Sequence, residues 1–209
     1  MLFRSQALLL GGTNQLGWFQ ANAGRTKSDG VRQYSHQDLN NGFLRAGREF
    51  FGTQLTLLGL GLDMPTAQNP GAVTRVVYDT KADSADSLSK VKRARKLVRQ
   101  VQLGLTAARP LRGGEVQAQA YGAGRHLFNP LTFAIVGIDR RTSGGSVRDL
   151  LPVNAFGLQN RFTFGVDAQR LSDARKNWTN CNAVTATRDR KSTRLNSSHI
   201  QKSRMPSSA

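Results

Sequence analysis

The chain has 209 residues and a formal net charge of +17, with a single cysteine and three histidines. These counts exclude a disulfide framework within the chain, and the scattered histidines offer no metal-ligand spacing. No apolar run approaches the ~20 residues of a transmembrane helix. The basic balance raises nucleic acid as a partner, and the sequence predicts no metal and no cofactor.

The two ends of the chain are predicted to lie outside the fold. "DRKSTRLNSSH" (189–199) and "SRMPSS" (203–208) resemble, in one reading frame, a translated sequencing adapter on either side of its variable barcode. "MLFRS" (1–5) resembles the same adapter read in reverse. The alternative for 189–209 is a natural, disordered Ser/Lys/Arg-rich tail. We therefore predict that 1–5 and 189–209 are artefacts, the latter disordered, and that the natural segment is 6–188.

The natural segment has the period-two pattern of β-strands. In "RFTFGVDAQ" (161–169), apolar side chains alternate with polar ones, so that one face of the strand is apolar and the other polar. "LVRQVQLGL" (97–105) and "EVQAQAYG" (115–122) alternate in the same way. This pattern predicts an all-β fold of seven strands, near 15–25, 41–50, 54–63, 96–107, 114–125, 142–150 and 157–170.

The connections between these strands alternate in length. Residues 50–53, 108–114 and 151–157 form short links, whereas 26–40, 64–95 and 126–141 form long ones. Either a soluble antiparallel sandwich or a membrane barrel can be built from such strands. Short turns on one rim and long loops on the other are typical of bacterial outer-membrane barrels, and a soluble domain rarely contains so long a structureless loop.

Three segments resemble the barrel of TonB-dependent outer-membrane receptors, which take up iron-siderophore complexes and similar nutrients. They are "LTLLGLGLDMPTAQNPGAVTR" (55–75), "NPLTFAIVGIDRR" (129–141) and "RFTFGVDAQRLSDARKNWTNC" (161–181). The resemblance spans most of 16–181. It implies a 22-stranded barrel with a plugged lumen, of which this chain would be an internal slice. The expected fold is a partial antiparallel up-and-down transmembrane β-barrel, forming an open curved sheet.

The same resemblance implies the partners of the whole protein. Outer-membrane lipid would surround the barrel, a ferric siderophore or similar ligand would bind among the extracellular loops, and TonB would act only through a plug domain that this chain lacks. No nucleic acid and no enzymatic activity are expected. Cationic and aromatic loop residues suit an anionic ferric chelate, but they could equally be ordinary loop and membrane-interface residues. These residues are Arg32, Tyr34, His36, Tyr78, Arg140, Arg141 and Trp178.

Other signals in the sequence support competing functions less well. "KVKRARK" (90–96) favours a soluble all-β basic binding module with nucleic acid as its partner, but no recognition motif accompanies it. "LLLGGTNQLG" (8–17) lacks the glycine spacing of a nucleotide loop. Asp167 and Asp173 could pair for acid–base chemistry, although neighbouring arginines are the more natural partners. Cys181 is expected in an extracellular loop, with its disulfide partner elsewhere in a longer protein.

Overall fold

The computed structural model describes residues 2–111, 113–155, 158–182, 184–188 and 194–201. It contains ten strands and two short helices, which in chain order are β1 (Phe3–Asn14), β2 (Gly17–Ser28), β3 (Gln37–Phe50), β4 (Thr53–Gln68), α1 (Arg75–Thr80), α2 (Ser87–Val91), β5 (Arg95–Leu111), β6 (Gly114–Pro130), β7 (Ala134–Ala155), β8 (Leu158–Cys181), β9 (Val184–Arg188) and β10 (Arg194–Gln201).

All strands belong to one antiparallel sheet. From β1 to β8 each strand pairs with the next along the chain, and both β9 and β10 pair with β8. The fold is therefore all-β, an up-and-down antiparallel sheet that is open and curved, which confirms the predicted fold class.

The turns at one rim are tight for a local reason. Between β3 and β4, Phe51 and Gly52 have φ angles of 48° and 71°. Two consecutive positive φ angles are typical of a two-residue hairpin whose twist matches that of its strands. Short connections at 15–16 and 51–52 therefore lie on this turn-side rim. The connections 29–36 and 69–94 lie on the opposite, loop-side rim and are longer, as predicted.

Two features of the predicted strand pattern were wrong. An eighth long strand, β1, pairs along its whole length with β2. The adapter interpretation of 1–5 concerns the origin of those residues and stays a prediction. The predicted long loop 126–141 is mostly strand, because β6 runs to Pro130 and β7 begins at Ala134. This region carries charged residues in both strands, which made it resemble a loop, yet those charges lie across from one another in the sheet.

The two faces of the sheet differ in exposure. Phe162, Phe164 and Val166 share one face of β8 and are 44%, 61% and 59% exposed. Thr163 and Asp167, on the other face, are half-buried. Side chains converge on the concave side of a curved sheet and shield one another, so the more exposed face is the convex one. We call the face that carries Phe164 the outward face and the opposite one the concave face.

Most buried side chains lie at the loop-side rim rather than in the middle of the curved sheet, which we call the wall. Among the described residues, the rim contains the buried residues Ala85, Ser89, Ala94, Val98, Ile135 and Asn180. The middle of the wall is one sheet thick, and no second layer of described residues covers its outward face.

The predicted artefactual tail is described only in part. The backbone of 194–201 runs antiparallel to β8, with Arg194 opposite Ala174 and Gln201 opposite Asp167. Backbone pairing is open to almost any sequence, so this placement leaves the origin of the segment a prediction. Residues 189–193 and 202–209 lie outside the described part.

Candidate functional site

The outward face carries an apolar band that crosses the strands diagonally. On β1 it includes Leu8 and Leu10, near the middle of the strand, whereas on β8 it includes Phe162 and Phe164, near the start. The strand pairings define how far the band shifts from β1 to β8. Gly12 lies at the turn-side end of the band on β1. Successive strand pairs connect it with Ala168, which lies at the loop-side end of the band on β8. Strands tilted in a membrane produce this offset.

Charged side chains mark the loop-side border of this band. On the outward face of neighbouring strands, Arg99 donates to Asp63 at 3.3 Å, and the Nδ1 atom of His126 lies 2.6 Å from an oxygen of Asp139. On β5, roughly nine residues separate Arg99 from the next outward charge, Arg109, close to the 9–11 residues that a tilted membrane strand needs. The band thus has the height of a bilayer's hydrocarbon core.

The loop-side rim brings together two of the long connections. The guanidinium of Arg32, in the connection 29–36, donates to the backbone carbonyls of Ser84 and Gly71, both at 2.9 Å. The Nδ1 atom of His36 lies 3.1 Å from the carboxylate of Asp29. Burial raises the pKa of the Tyr34 phenol, although Arg95 and Arg93 act in the opposite direction. Arg32, Tyr34 and His36 therefore lie together at the rim, and we call these three residues the loop cluster. The sequence had grouped them only as cationic and aromatic loop residues.

The last residues of β8 connect the loop-side connections to the sheet through hydrogen bonds. The side-chain amide of Asn180 donates to the carbonyls of Lys92 and Leu131 at 2.8 and 2.7 Å. The ammonium of Lys92 donates in return to the carbonyl of Asn180 at 2.9 Å. Asn180 is 3% exposed. No sequence signal singles it out, because its partners are backbone atoms far away along the chain.

A polar cavity of about 250 Å³ lies on the concave face of β5, β6 and β7. It offers amide, phenol, hydroxyl and guanidinium groups, and the Nε atom of Arg125 is buried there without a hydrogen-bond partner. Arg140 is held by two hydrogen bonds to Asp173, at 2.7 and 2.6 Å. The cavity can therefore donate to an anionic or oxygen-rich group. Its lining residues are Gln100, Gln102, Tyr121, Ala123, Arg125, Arg140 and Thr142.

The remaining predicted ligand residues are scattered. Tyr78 lies on α1 and is 53% exposed. Arg140 and Arg141 lie on β7 rather than in a loop, and as neighbours on a strand they point to opposite faces. Trp178 lies near the end of β8 with its ring 6.5 Å from that of Phe128. Three of these four residues therefore lie on strands, whereas Tyr78 lies on an exposed helix within the connection 69–94.

The remaining sequence features, namely the two aspartates, residues 8–17 and the cysteine, have structural roles. Asp167 accepts from Arg148 at 3.2 Å, and Asp173 pairs with Arg140, so the two carboxylates have arginine partners as expected. Residues 8–17 belong to β1, its turn and the start of β2, with no helix following. Cys181 is the last residue of β8, not a loop residue, and is a free thiol among the described residues.

Within the described ranges, no cluster of three His, Cys, Asp or Glu side chains is arranged to hold a metal ion. In the same part of the chain, no helix is long and apolar enough to cross a membrane.

Comparisons with known proteins support the fold. No family model and no curated protein matches the sequence. Among solved structures, the chain is similar to the ferric citrate transporter FecA in its unliganded form, with a TM-score of 0.72 and 14% sequence identity. The similarity covers 92% of this chain and 30% of that one. The chain therefore spans about a third of the transporter that it resembles, and the likeness concerns the fold.

Proposed function

We propose that the chain supplies part of the barrel wall and extracellular loops of a TonB-dependent transporter in the outer membrane of a bacterium. The observation that carries the proposal is the apolar band that runs diagonally across the outward face of eight successive strands, with charged side chains along its loop-side border. A soluble basic binding module would need a second layer over that face, because a large exposed apolar surface in water favours association.

The concave face supports the transport role. Arg125, Arg140 and the amides beside them provide hydrogen-bond donors in a wall that would enclose a lumen. An anionic ferric chelate or a similar scarce nutrient fits these donors, because charge-assisted hydrogen bonds from arginine are strong and directional. The loop cluster around Arg32 would form the mouth above this surface. A plug domain elsewhere in the full-length protein would contact TonB.

A first experiment tests the location. The gene that contains this chain is expressed at full length, and membranes are separated by density. The protein is expected in the outer-membrane fraction, with a folded form that migrates differently on gels before and after heating. Recovery as a soluble protein would contradict the proposal.

A second experiment tests transport. Cells with and without the gene are offered radioactive iron as ferric citrate and as catecholate and hydroxamate chelates. Uptake of at least one chelate should depend on the gene. Arg125→Ala should weaken that uptake about tenfold by removing a charged hydrogen-bond donor, whereas Arg161→Ala, a concave arginine outside the cavity, should leave it unchanged. Equal uptake by cells with and without the gene, for every chelate, would contradict an iron substrate.

A further inference from the structure

We propose that the concave cavity selects an aryl group that carries anionic oxygen atoms, such as a catecholate or hydroxybenzoate arm of the transported chelate, and that Tyr121 makes this selection. The inference rests on the proposed transport function and names the ligand class for the same cavity. The cavity joins an aromatic side to a cationic side, and each side would recognise a different part of such an arm.

Strand pairing arranges the cavity as three rows of side chains that cross β5, β6 and β7. On β6 the rows are marked by Tyr121, Ala123 and Arg125, which lie on one face of the strand. Roughly 13 Å separates Tyr121 from Arg125 at about 3.3 Å per residue, and the small side chain of Ala123 leaves a recess between them. The neighbours on β5 and β7 are Gly104 and Gly144 for Tyr121, Gln102 and Thr142 for Ala123, and Gln100 and Arg140 for Arg125.

The side chain of Tyr121 lies across the neighbouring strand β7. A Cβ atom added at Gly144 would lie 2.7 Å from the Tyr121 hydroxyl oxygen and 2.8 Å from its Cζ atom. The phenol ring thus occupies space above β7 that is free because residue 144 is a glycine. A ring in this position forms one side of the recess, and it offers an aromatic surface against which a second ring packs favourably.

The opposite side of the recess is cationic. The Nε atom of Arg125 is buried without a hydrogen-bond partner, and no carboxylate pairs with this guanidinium in the part of the chain that the structure describes. Arg140, by contrast, is paired with Asp173, and Arg148 on the same face of β7 is paired with Asp167. The cavity therefore carries one uncompensated positive charge and one unsatisfied donor, which an anionic oxygen atom would satisfy.

The volume of the cavity fits one substituted ring. It measures about 250 Å³, whereas an apolar cavity of about 150 Å³ holds benzene and a drug-sized ligand needs about 300–1,000 Å³. The cavity would therefore receive one arm of a chelate rather than the whole of it. Arg125 and Arg140 are adjacent in the chain to His126 and Asp139 of the loop-side border, so the cavity lies near the mouth of the wall, where an external ligand arrives first.

An aliphatic chelate would use only part of this cavity. A carboxylate or hydroxamate could pair with Arg125, but it would leave the ring of Tyr121 and the methyl group of Ala123 without an apolar partner. An aryl arm with anionic oxygen atoms makes both kinds of contact. Charge should therefore contribute affinity for either class of ligand, and the ring should discriminate between them.

The test measures the affinity of the full-length receptor in detergent for two ferric complexes, by equilibrium dialysis with radioactive iron. Ferric dihydroxybenzoate is the aryl probe and ferric citrate is the aliphatic one. The wild type should bind ferric dihydroxybenzoate about tenfold more tightly, because only this probe packs against Tyr121. Tyr121→Leu should bind both complexes with nearly equal affinity, whereas Tyr121→Phe keeps the ring and should retain the preference.

Two further variants separate the charge from the ring. Arg125→Gln should weaken the binding of both complexes about tenfold and leave the ratio of their affinities unchanged. Phe43→Leu removes an aromatic ring from the concave face outside the cavity and should change neither affinity. Gly144→Ala is unsuitable as a test, because its Cβ atom would also meet the carbonyl oxygen of Ala168 at 2.9 Å.

The outcomes distinguish this inference from the proposed function. An unchanged preference in Tyr121→Leu, a lost preference in Tyr121→Phe, or no binding of ferric dihydroxybenzoate by a receptor that transports another chelate would overturn the selection by Tyr121. A heat-dependent gel shift shows for each variant that the barrel is folded. If the wild type bound neither complex and no chelate entered cells through it, the proposed function would fall, and the aryl selection with it.

Discussion

The middle of the wall and its loop-side rim are stabilised in different ways. In the middle, strands are joined by their backbone ladders, and residues such as Phe164 project outward without covering neighbours. At the rim, Ile135 and Asn180 are buried, and side chains bind distant carbonyls. If the chain forms part of a membrane barrel, as proposed, the middle depends on a hydrocarbon environment and on pairing at both edges of the sheet. The rim is held by contacts of its own.

The largest expected effect tests whether the middle depends on lipid. Phe162→Arg in the full-length protein should lower the free energy of unfolding by about 2–4 kcal/mol, the cost of arginine near the bilayer midplane on the lipid face, because its neighbour across the strand pair, Leu151, offers no counter-charge. Thr163→Arg, the adjacent residue on the concave face, should cost far less because the lumen is wet. Urea unfolding in lipid vesicles measures both, and equal losses would remove the distinction between the faces.

The rim should instead respond to the loss of a single amide. Asn180→Ala removes donors to Lys92 and Leu131, and should destabilise the local structure by about 2 kcal/mol, at roughly 1 kcal/mol per hydrogen bond. The amides of 69–94 should then exchange hydrogen faster, while those in the middle of β8 keep their rates. Asn177→Ala, which removes an exposed hydrogen-bond acceptor for Arg175, is the matched control. Unchanged exchange in 69–94 would show that other contacts hold the rim.

A smaller effect, dependent on pH, is expected at α2. The carboxylate of Asp86 caps this helix and accepts from the backbone N–H of Ser89 at 2.7 Å. That hydrogen bond, followed by one from the Ser89 hydroxyl, lowers the pKa of Asp86. Since the folded pKa is depressed, the stabilisation is present above the ordinary carboxyl pKa of about 3.9 and is lost as the pH falls through the lower, folded value.

At neutral pH, Asp86→Ala should therefore cost about 1 kcal/mol, as for other N-cap substitutions. Asp86→Asn should retain most of the cap and lose the acid dependence. Proteolysis within 69–94, followed at several pH values, measures both. If the Asn variant showed the same acid dependence as the wild type, another group would be responsible.

The smallest expected effect concerns residues 189–209. We predict no effect on folding or transport when they are removed, because the backbone pairing of 194–201 with β8 could be made by the next strand of a longer barrel. Resequencing the source with adapters trimmed should yield a different continuation after about residue 188. The same tail in a trimmed assembly would refute the adapter interpretation.

The sequence predicted the wall better than the rim. Alternation in 161–169 located β8 and assigned Phe164 and Thr163 to their faces, because side-chain direction in a strand depends only on parity. The same reasoning missed β7 before residue 142, because Asp139 and Arg140 suggest a loop until His126 and Asp173 are placed opposite them. Charges that are satisfied across strands cannot be distinguished from loop charges in a single sequence.

The candidate site, too, could be predicted only in part from the sequence. The polar positions Gln100 and Gln102 were already assigned to the polar face of β5, but only the register joins them with Arg125 and Arg140 in one cavity. The sequence by itself determined the strands, their two faces and most of the long connections, because these depend on residues a few positions apart. The tertiary structure decided the diagonal course of the apolar band, the union of the loops around Asn180 and the placing of Tyr121 above Gly144. Each of these depends on which residues of different strands lie opposite one another. Backbone pairing determines this between residues that are far apart along the chain, whereas sequence patterns relate only residues a few positions apart.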